Sequence, residues 1–188
     1  SYTLHEVSPP YGYWIDTTPV TFLVDDNKDN LVVVEFSNSQ ILKQIQVVKT
    51  DATDNTPLSG AVFELRKSNQ LIATLTTNSS GIATTGYLTA GSYQVKEIQA
   101  PAGYTLNSST YNITISDDEE DLYSVLFTNA QTKVTLIKSD ATNNEPLAGA
   151  VLEVYNSSDE LVYRETTDSE GQINIYKLPI GSYYFKEV

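Results

Sequence analysis

The chain repeats itself at an interval of about 90 residues, and this period constrains the fold more than any other feature of the sequence. Lys49 and Lys138 lie 89 residues apart in the similar segments VVKTDATDNTPLSGAVFEL and LIKSDATNNEPLAGAVLEV. Glu97 and Glu187 lie 90 residues apart in GSYQVKEIQ and GSYYFKEV. A period of this length is the size of a small domain and exceeds the repeat of most solenoids. The sequence therefore predicts tandem domains.

The repeat also predicts where the units begin and end. Glu6 precedes Glu97 by 91 residues, and Asn38 precedes Asn129 by the same interval. These intervals predict the C-terminal part of one unit, one complete unit and the N-terminal part of a third, at residues 1–41, 42–131 and 132–188. We refer to them as the first segment, the central unit and the third segment, and we expect them to be a piece of a longer array.

Short apolar runs separated by turn residues predict an all-β fold, with each unit an antiparallel β-sandwich. Thr, Val, Ile and Tyr dominate these runs, as strands favour, and the chain holds 13 Tyr. Seven strands are predicted in the central unit, at residues 45–50, 61–67, 70–77, 81–88, 91–99, 111–116 and 122–129.

Composition excludes several functions. The net charge of −13 argues against nucleic acid, because phosphate binding needs clustered Lys and Arg, and against docking on anionic lipid. No apolar run approaches the roughly 20 residues of a membrane helix. Cysteine is absent. The acidic run at 25–30 lacks the glycine and glutamate of a calcium-binding EF-hand loop, so we interpret it as a solvated hairpin tip and expect no metal or cofactor.

Three polar residues of the central unit fall where side chains should face the core. Lys49, Glu97 and Asn129 each end a run in which every second residue is apolar, and side chains alternate faces along a strand. An unpaired buried amine or carboxylate costs several kcal/mol. We therefore expect these three side chains to contact each other.

An amine, a carboxylic acid and a carboxamide in contact are the reactants for an amide bond between side chains. A buried amine favours its neutral, nucleophilic form, and a buried protonated acid can polarise a carbonyl and transfer protons. Contact supplies a large proximity effect. Such a reaction happens once per unit, so we expect self-processing and not an enzyme with turnover. A buried Lys–Glu ion pair with Asn as its hydrogen-bond partner is the alternative, and the pattern alone leaves both open.

These motifs together resemble the Cna-B type domain, the SpaA-like, prealbumin-like repeat of Gram-positive surface adhesins and pilins. The opening lysine segment, the turn TTNSSG, the box GSYQVKEIQAPAGY and the closing FTN occur in that order. The resemblance implies an immunoglobulin-like or prealbumin-like sandwich and an isopeptide bond between Lys49 and Asn129, assisted by Glu97. The residues that match the same roles in the incomplete units are Glu6, Asn38, Lys138 and Glu187.

The resemblance implies a structural stalk on the outside of a Gram-positive cell wall. Its partners would be neighbouring repeat units, with a host extracellular ligand bound through other regions and no insertion of this segment into a membrane. Two alternatives remain open: an adhesive module that binds a ligand directly, for which Trp14 is the only aromatic hint, and a segment of a backbone pilin polymerised by a sortase.

Overall fold

A computed structural model describes residues 1–25 and 31–188, and these residues form strands and no helix. Most of the strands are short and are separated by turns rich in Gly, Pro, Asn and Asp, as the sequence predicts. The strands, in chain order, are β1 (Tyr2–Leu4), β2 (Val20–Phe22), β3 (Leu42–Asp51), β4 (Val62–Lys67), β5 (Gln70–Thr76), β6 (Ile82–Thr84), β7 (Leu88–Thr89), β8 (Gly91–Gln99), β9 (Thr110–Ile115), β10 (Leu122–Asn129), β11 (Lys133–Ile137), β12 (Val151–Asn156), β13 (Leu161–Thr166), β14 (Gln172–Tyr176) and β15 (Tyr183–Glu187).

The central unit is a sandwich of two sheets. One sheet has the strand order β5-β4-β8-β9, and the other has the order β10-β3-β6 with β7 also paired to β3. The first sheet is antiparallel throughout. Alternate side chains of both sheets form one apolar core between them, which includes Ile45, Val47, Phe63, Leu65, Val95, Ile115 and Phe127. The all-β sandwich predicted from the sequence is confirmed.

The first and last strands of the central unit run parallel, in contrast to the antiparallel pairing predicted for the unit as a whole. β3 and β10 pair in parallel from Gln44 opposite Leu122 to Asp51 opposite Asn129. Parallel neighbours need a long crossover, and here the rest of the sandwich supplies it. This pairing brings the C-terminal ends of β3 and β10 to the same end of the unit.

The predicted strand at 81–88 is instead two short strands, β6 and β7. Gln46 of β3 lies opposite Thr84 of β6, and Lys43 of β3 lies opposite Leu88 of β7. Between these two pairs, the segment that joins β6 to β7 has one residue more than β3. An extra residue is the mark of a β-bulge, which interrupts the ladder. The Thr85 side chain replaces one ladder contact by accepting a hydrogen bond from the backbone N–H of Ile45.

The flanking segments carry fewer strands. The first segment has the pair β1–β2, and residues 26–30 of its acidic run lie outside the described part of the chain. The third segment has the pair β11–β14 and the sheet β13-β12-β15. Val154, Ile173 and Ile175 form the centre of its small core.

Candidate functional site

The structure brings Lys49, Glu97 and Asn129 together in the interior of the central unit. Lys49 and Glu97 are completely buried, and Asn129 is 2% exposed. The Lys49 ammonium donates a hydrogen bond to Asn129 Oδ1 and lies 3.4 Å from Glu97 Oε1. Asn129 Nδ2 donates to the same Glu97 oxygen at 3.0 Å. One carboxylate oxygen therefore contacts both the amine and the amide nitrogen.

The two sheets each contribute to this cluster. Lys49 and Asn129 lie on the paired strands β3 and β10, and Glu97 lies on β8 of the facing sheet. The backbone of Lys49 is held at both ends, because its N–H donates to Gly81 O at 2.7 Å and its carbonyl accepts from Leu58 N at 2.9 Å. Gly81 has a φ of +72°, and a Cβ there would clash with the Lys49 carbonyl, so this turn requires glycine.

Asn107 orients the Glu97 carboxyl, and sequence reasoning did not identify it. Its backbone N–H donates to Glu97 Oε2 at 2.7 Å. Its side-chain oxygen accepts from Ser109 N at 2.9 Å, and its side-chain nitrogen donates to Thr128 O at 3.0 Å, next to Asn129. The spacing Asn-x-Ser is a signal for such an Asx turn.

An aromatic ring lies beside the amine of Lys49 and packs against two further rings. Its Nζ lies 5.8 Å from the centre of the Phe127 ring, which packs against Phe63 at 4.8 Å and Tyr111 at 4.6 Å. Burial lowers the pKa of the Lys49 ammonium, and the negative charge of Glu97 acts in the opposite direction. This apolar wall excludes water and favours a neutral amine.

The matching residues of the incomplete segments also contact each other, in more exposed positions. In the first segment, Asn38 Nδ2 donates to both oxygens of Glu6 at 2.9 and 2.7 Å. The backbone N–H of Asp16 donates to Glu6 at 2.7 Å, as Asn107 does to its glutamate. In the third segment, Lys138 and Glu187 form an ion pair of 2.9 Å with side chains 34% and 53% exposed.

A second buried cluster lies one step further along β3 and was not predicted. The Asp51 carboxylate is completely buried and accepts hydrogen bonds from Thr53 N at 2.7 Å, the Tyr104 hydroxyl at 2.9 Å and Gln131 Nε2 at 2.8 Å. Lys177 Nζ of the third segment lies 3.6 Å away. Asp51 follows Lys49 by two residues. The alternation that places the Lys49 side chain inward therefore also predicts that the Asp51 side chain points inward.

The same extension in the other direction identifies Lys43, which is 1% exposed. Its ammonium donates to the backbone carbonyls of Asp118 at 2.6 Å and Glu120 at 2.5 Å. It also lies 5.3 Å from the centre of the Trp14 ring. The acidic turn at 117–121 thus closes over a buried cation.

The described residues contain no group of three or more His, Cys, Asp or Glu placed to hold a metal ion. Within the same described ranges, no helix is long and apolar enough to cross a membrane.

Fold and site together define a prealbumin-like β-sandwich repeat. A family model described as "SpaA: Prealbumin-like fold domain" matches residues 43–131 and 132–188. The chain belongs to this family.

Relatives of the chain include two curated proteins and a solved structure. The chain is 36% identical over 128 residues to the trypsin-resistant surface T6 protein of Streptococcus pyogenes. This match covers 66% of this chain and 23% of the T6 protein. It is 30% identical over 96 residues to the collagen adhesin of Staphylococcus aureus, covering 47% of this chain and 8% of the adhesin. The structure of the Bacillus anthracis TIE protein is 32% identical with a TM-score of 0.53, covering 80% of this chain and 28% of that one. The chain thus spans less than a quarter of either curated relative.

Proposed function

We propose that this chain is part of the stalk of a Gram-positive surface adhesin, outside the cell and attached to the cell wall. In this proposal the central unit is stabilised by a self-generated isopeptide bond between Lys49 and Asn129. The family match, the domain-sized repeat and the relatedness to a streptococcal surface protein and a staphylococcal collagen adhesin support the stalk. Neighbouring repeat units are its immediate partners.

The observation that carries the bond is the contact of amine, acid and amide in a dry interior. A buried ion pair whose neutral hydrogen-bond partners are Asn129 and the backbone N–H of Asn107 is a poor source of stability, because desolvation offsets most of the attraction. The same arrangement is well suited to chemistry. Glu97 Oε1 lies within 3.4 Å of the Lys49 nitrogen and 3.0 Å of the nitrogen that would leave Asn129.

The proposed reaction balances without a cofactor. Glu97 accepts a proton from the Lys49 ammonium, and the free amine attacks Asn129 Cγ. A bond forms between Lys49 Nζ and Cγ, and the bond from Cγ to Nδ2 breaks. Nζ loses two protons in all, and Glu97 relays both to Nδ2. The leaving group therefore departs as ammonium, which is ammonia plus the second proton, and Glu97 returns to its starting carboxylate. Proximity replaces a bimolecular encounter.

We extend the same roles to the flanking segments. Glu6 and Asn38 would serve as acid and amide in the unit to which the first segment belongs, and Lys138 and Glu187 as amine and acid in the next unit. The repeated orientation of Glu6 and Glu97 by a backbone N–H ten residues later supports this extension.

The position of Trp14 favours the stalk over direct ligand binding by this part of the chain. A ligand-stacking platform would leave the ring face free, whereas this ring lies beside Lys43 of the central unit. Trp14 is therefore better explained as a contact between successive units. A backbone-pilin segment remains the other candidate of the same structural class.

Intact-mass measurement tests the bond. The wild-type chain should weigh less than its sequence by one ammonia, and peptide mapping should recover residues 49 and 129 in one cross-linked species. Glu97→Gln keeps the volume of the side chain but removes the acid, so it should restore the full mass. The matched control Glu187→Gln makes the same change in the third segment and should leave the loss of ammonia intact. A wild-type chain with the full mass would refute the proposed bond.

A further inference from the structure

The joint between the central unit and the third segment is built around a buried carboxylate. Asp51 lies at the end of β3 that faces the third segment, and its side chain has no exposed surface. Thr53, Tyr104 and Gln131 of the central unit donate hydrogen bonds to it. These three donors are neutral, so the negative charge itself has no cationic partner within the central unit's cluster.

The cation comes from the third segment. Lys177 Nζ lies 3.6 Å from Asp51 Oδ2 and 5.6 Å from the centre of the Tyr104 ring. Lys177 has a φ of +58°, a left-handed conformation that is unfavourable for a residue with a side chain. The side chain therefore reaches the central unit from a backbone position that needs support from its surroundings.

Backbone contacts at the same joint supply that support. Thr132 N donates to Gly103 O at 2.9 Å, and Lys177 N donates to Thr132 O at 3.1 Å. A Cβ at Gly103, where φ is +83°, would lie 2.5 Å from the Lys177 carbonyl oxygen. The turn at 101–104 and the loop that carries Lys177 are thus in direct contact.

We propose that Asp51 and Tyr104 form a docking site for a lysine of the following repeat, occupied here by Lys177, and that this contact fixes the angle of the joint. A carboxylate beside an aromatic face suits a cationic side chain on a long stem. The lysine at this position is not repeated in every unit, since the residue of the central unit that corresponds to Lys177 is Tyr87, 90 positions earlier. A repeat with tyrosine there would leave the carboxylate without its cation.

Amide hydrogen exchange tests this docking site in the full chain. The variant Lys177→Met keeps an apolar stem but removes the charge. In this variant the backbone amides at positions 132 and 177 should exchange about fivefold faster than in the wild type, which is the range expected for loss of a partly exposed ion pair. Core amides of the central unit, such as those of Val47 and Val95, should keep their rates. Asp51→Asn combined with Lys177→Met should add little to the effect of Lys177→Met alone at the joint.

The matched control is Lys186→Met, which removes the same charge from an exposed position of the same segment. It should leave exchange at Thr132 unchanged. Unchanged exchange at the joint in Lys177→Met would overturn the docking site. Equal acceleration in Lys186→Met, or equal acceleration of the core amides, would overturn it as well. The result is separable from the proposed bond, because Lys177→Met is expected to lose ammonia as the wild type does.

Discussion

Gln131 donates a hydrogen bond of 2.8 Å to the buried carboxylate of Asp51 across the end of the parallel strands β3 and β10. Lys49 and Asn129 make their contact two residues earlier on the same strands. The candidate cross-link and the joint to the next segment are therefore successive steps of one ladder. Load that enters through the third segment would reach β3 and β10 at the point where the proposed bond joins them.

Loss of the bond should lower the thermal stability of the central unit strongly. Lys49 and Asn129 are 80 residues apart, and closing a loop of this size restricts the unfolded chain by about 4 kcal/mol in the chain-entropy treatment of cross-links. Glu97→Gln should therefore melt about 20 °C below the wild type. Calorimetry measures this difference, with Glu187→Gln as the control. Equal melting temperatures would contradict a covalent closure of the unit.

Asn107 should affect how fast the bond forms. Asn107→Asp keeps the backbone N–H that contacts Glu97 and the oxygen that accepts from Ser109, but it loses the donor to Thr128 O and adds a charge near the acid. Loss of one such hydrogen bond should slow the release of ammonia about fivefold.

The measurement is the fraction of newly folded chains that retain the full mass over time. Asn112→Asp makes the same exchange at an exposed position of β9 and should react at the wild-type rate. If Asn107→Asp and Asn112→Asp react at the same rate, the orientation of Glu97 does not depend on the Asn107 side chain.

The ion pair of the third segment should contribute little. Lys138 and Glu187 are both partly exposed, and solvent screens such pairs, so the expected contribution is about 0.5 kcal/mol or less. Lys138→Met should leave the melting temperature nearly unchanged in calorimetry, and it should also leave the loss of one ammonia unchanged. A large destabilisation would indicate that this pair is buried and coupled like that of the central unit.

Period-two alternation explains which parts of the site could be predicted. It places Lys49, Glu97 and Asn129 inward because each ends an apolar run, and the structure buries all three. Asp51 obeys the same alternation, but its place beside a turn sequence makes it resemble a solvated strand end. The parallel pairing of β3 with β10 has no signature in alternation, since the pattern describes faces and not strand direction. Lys177 lies in a loop, where no periodicity exists to indicate its partner.

The joint should weaken in acid. The hydrogen bond from the backbone N–H of Thr53 has the largest effect on the pKa of Asp51 and lowers it. Burial opposes this effect, but the contacts with Gln131, Tyr104 and Lys177 lower the pKa further. The folded-state pKa of Asp51 therefore lies below the ordinary 3.8. A depressed carboxyl pKa stabilises the folded state fully above the unfolded value, and this contribution is lost as the pH falls through the folded value. The other charged group at this site is Asp54, whose pKa is lowered by its hydrogen bonds to Thr56. Hydrogen bonding to Tyr104 raises the pKa of Lys177, which stays charged throughout.

Melting temperatures measured from about pH 5 down to about pH 3 should therefore fall more steeply in the wild type than in Asp51→Asn, which cannot titrate at this position. Carboxylates distant from Asp51 contribute equally to both proteins and cancel in the comparison, whereas Asp54 senses the charge of Asp51. Asp117→Asn, in the acidic turn at the other end of the unit, should retain the steep wild-type slope. Parallel slopes for the wild type and Asp51→Asn would mean that the Asp51 carboxylate is no better stabilised in the folded chain than in the unfolded one. The hydrogen bonds from Thr53, Tyr104 and Gln131 and the contact with Lys177 would then not favour its charged form.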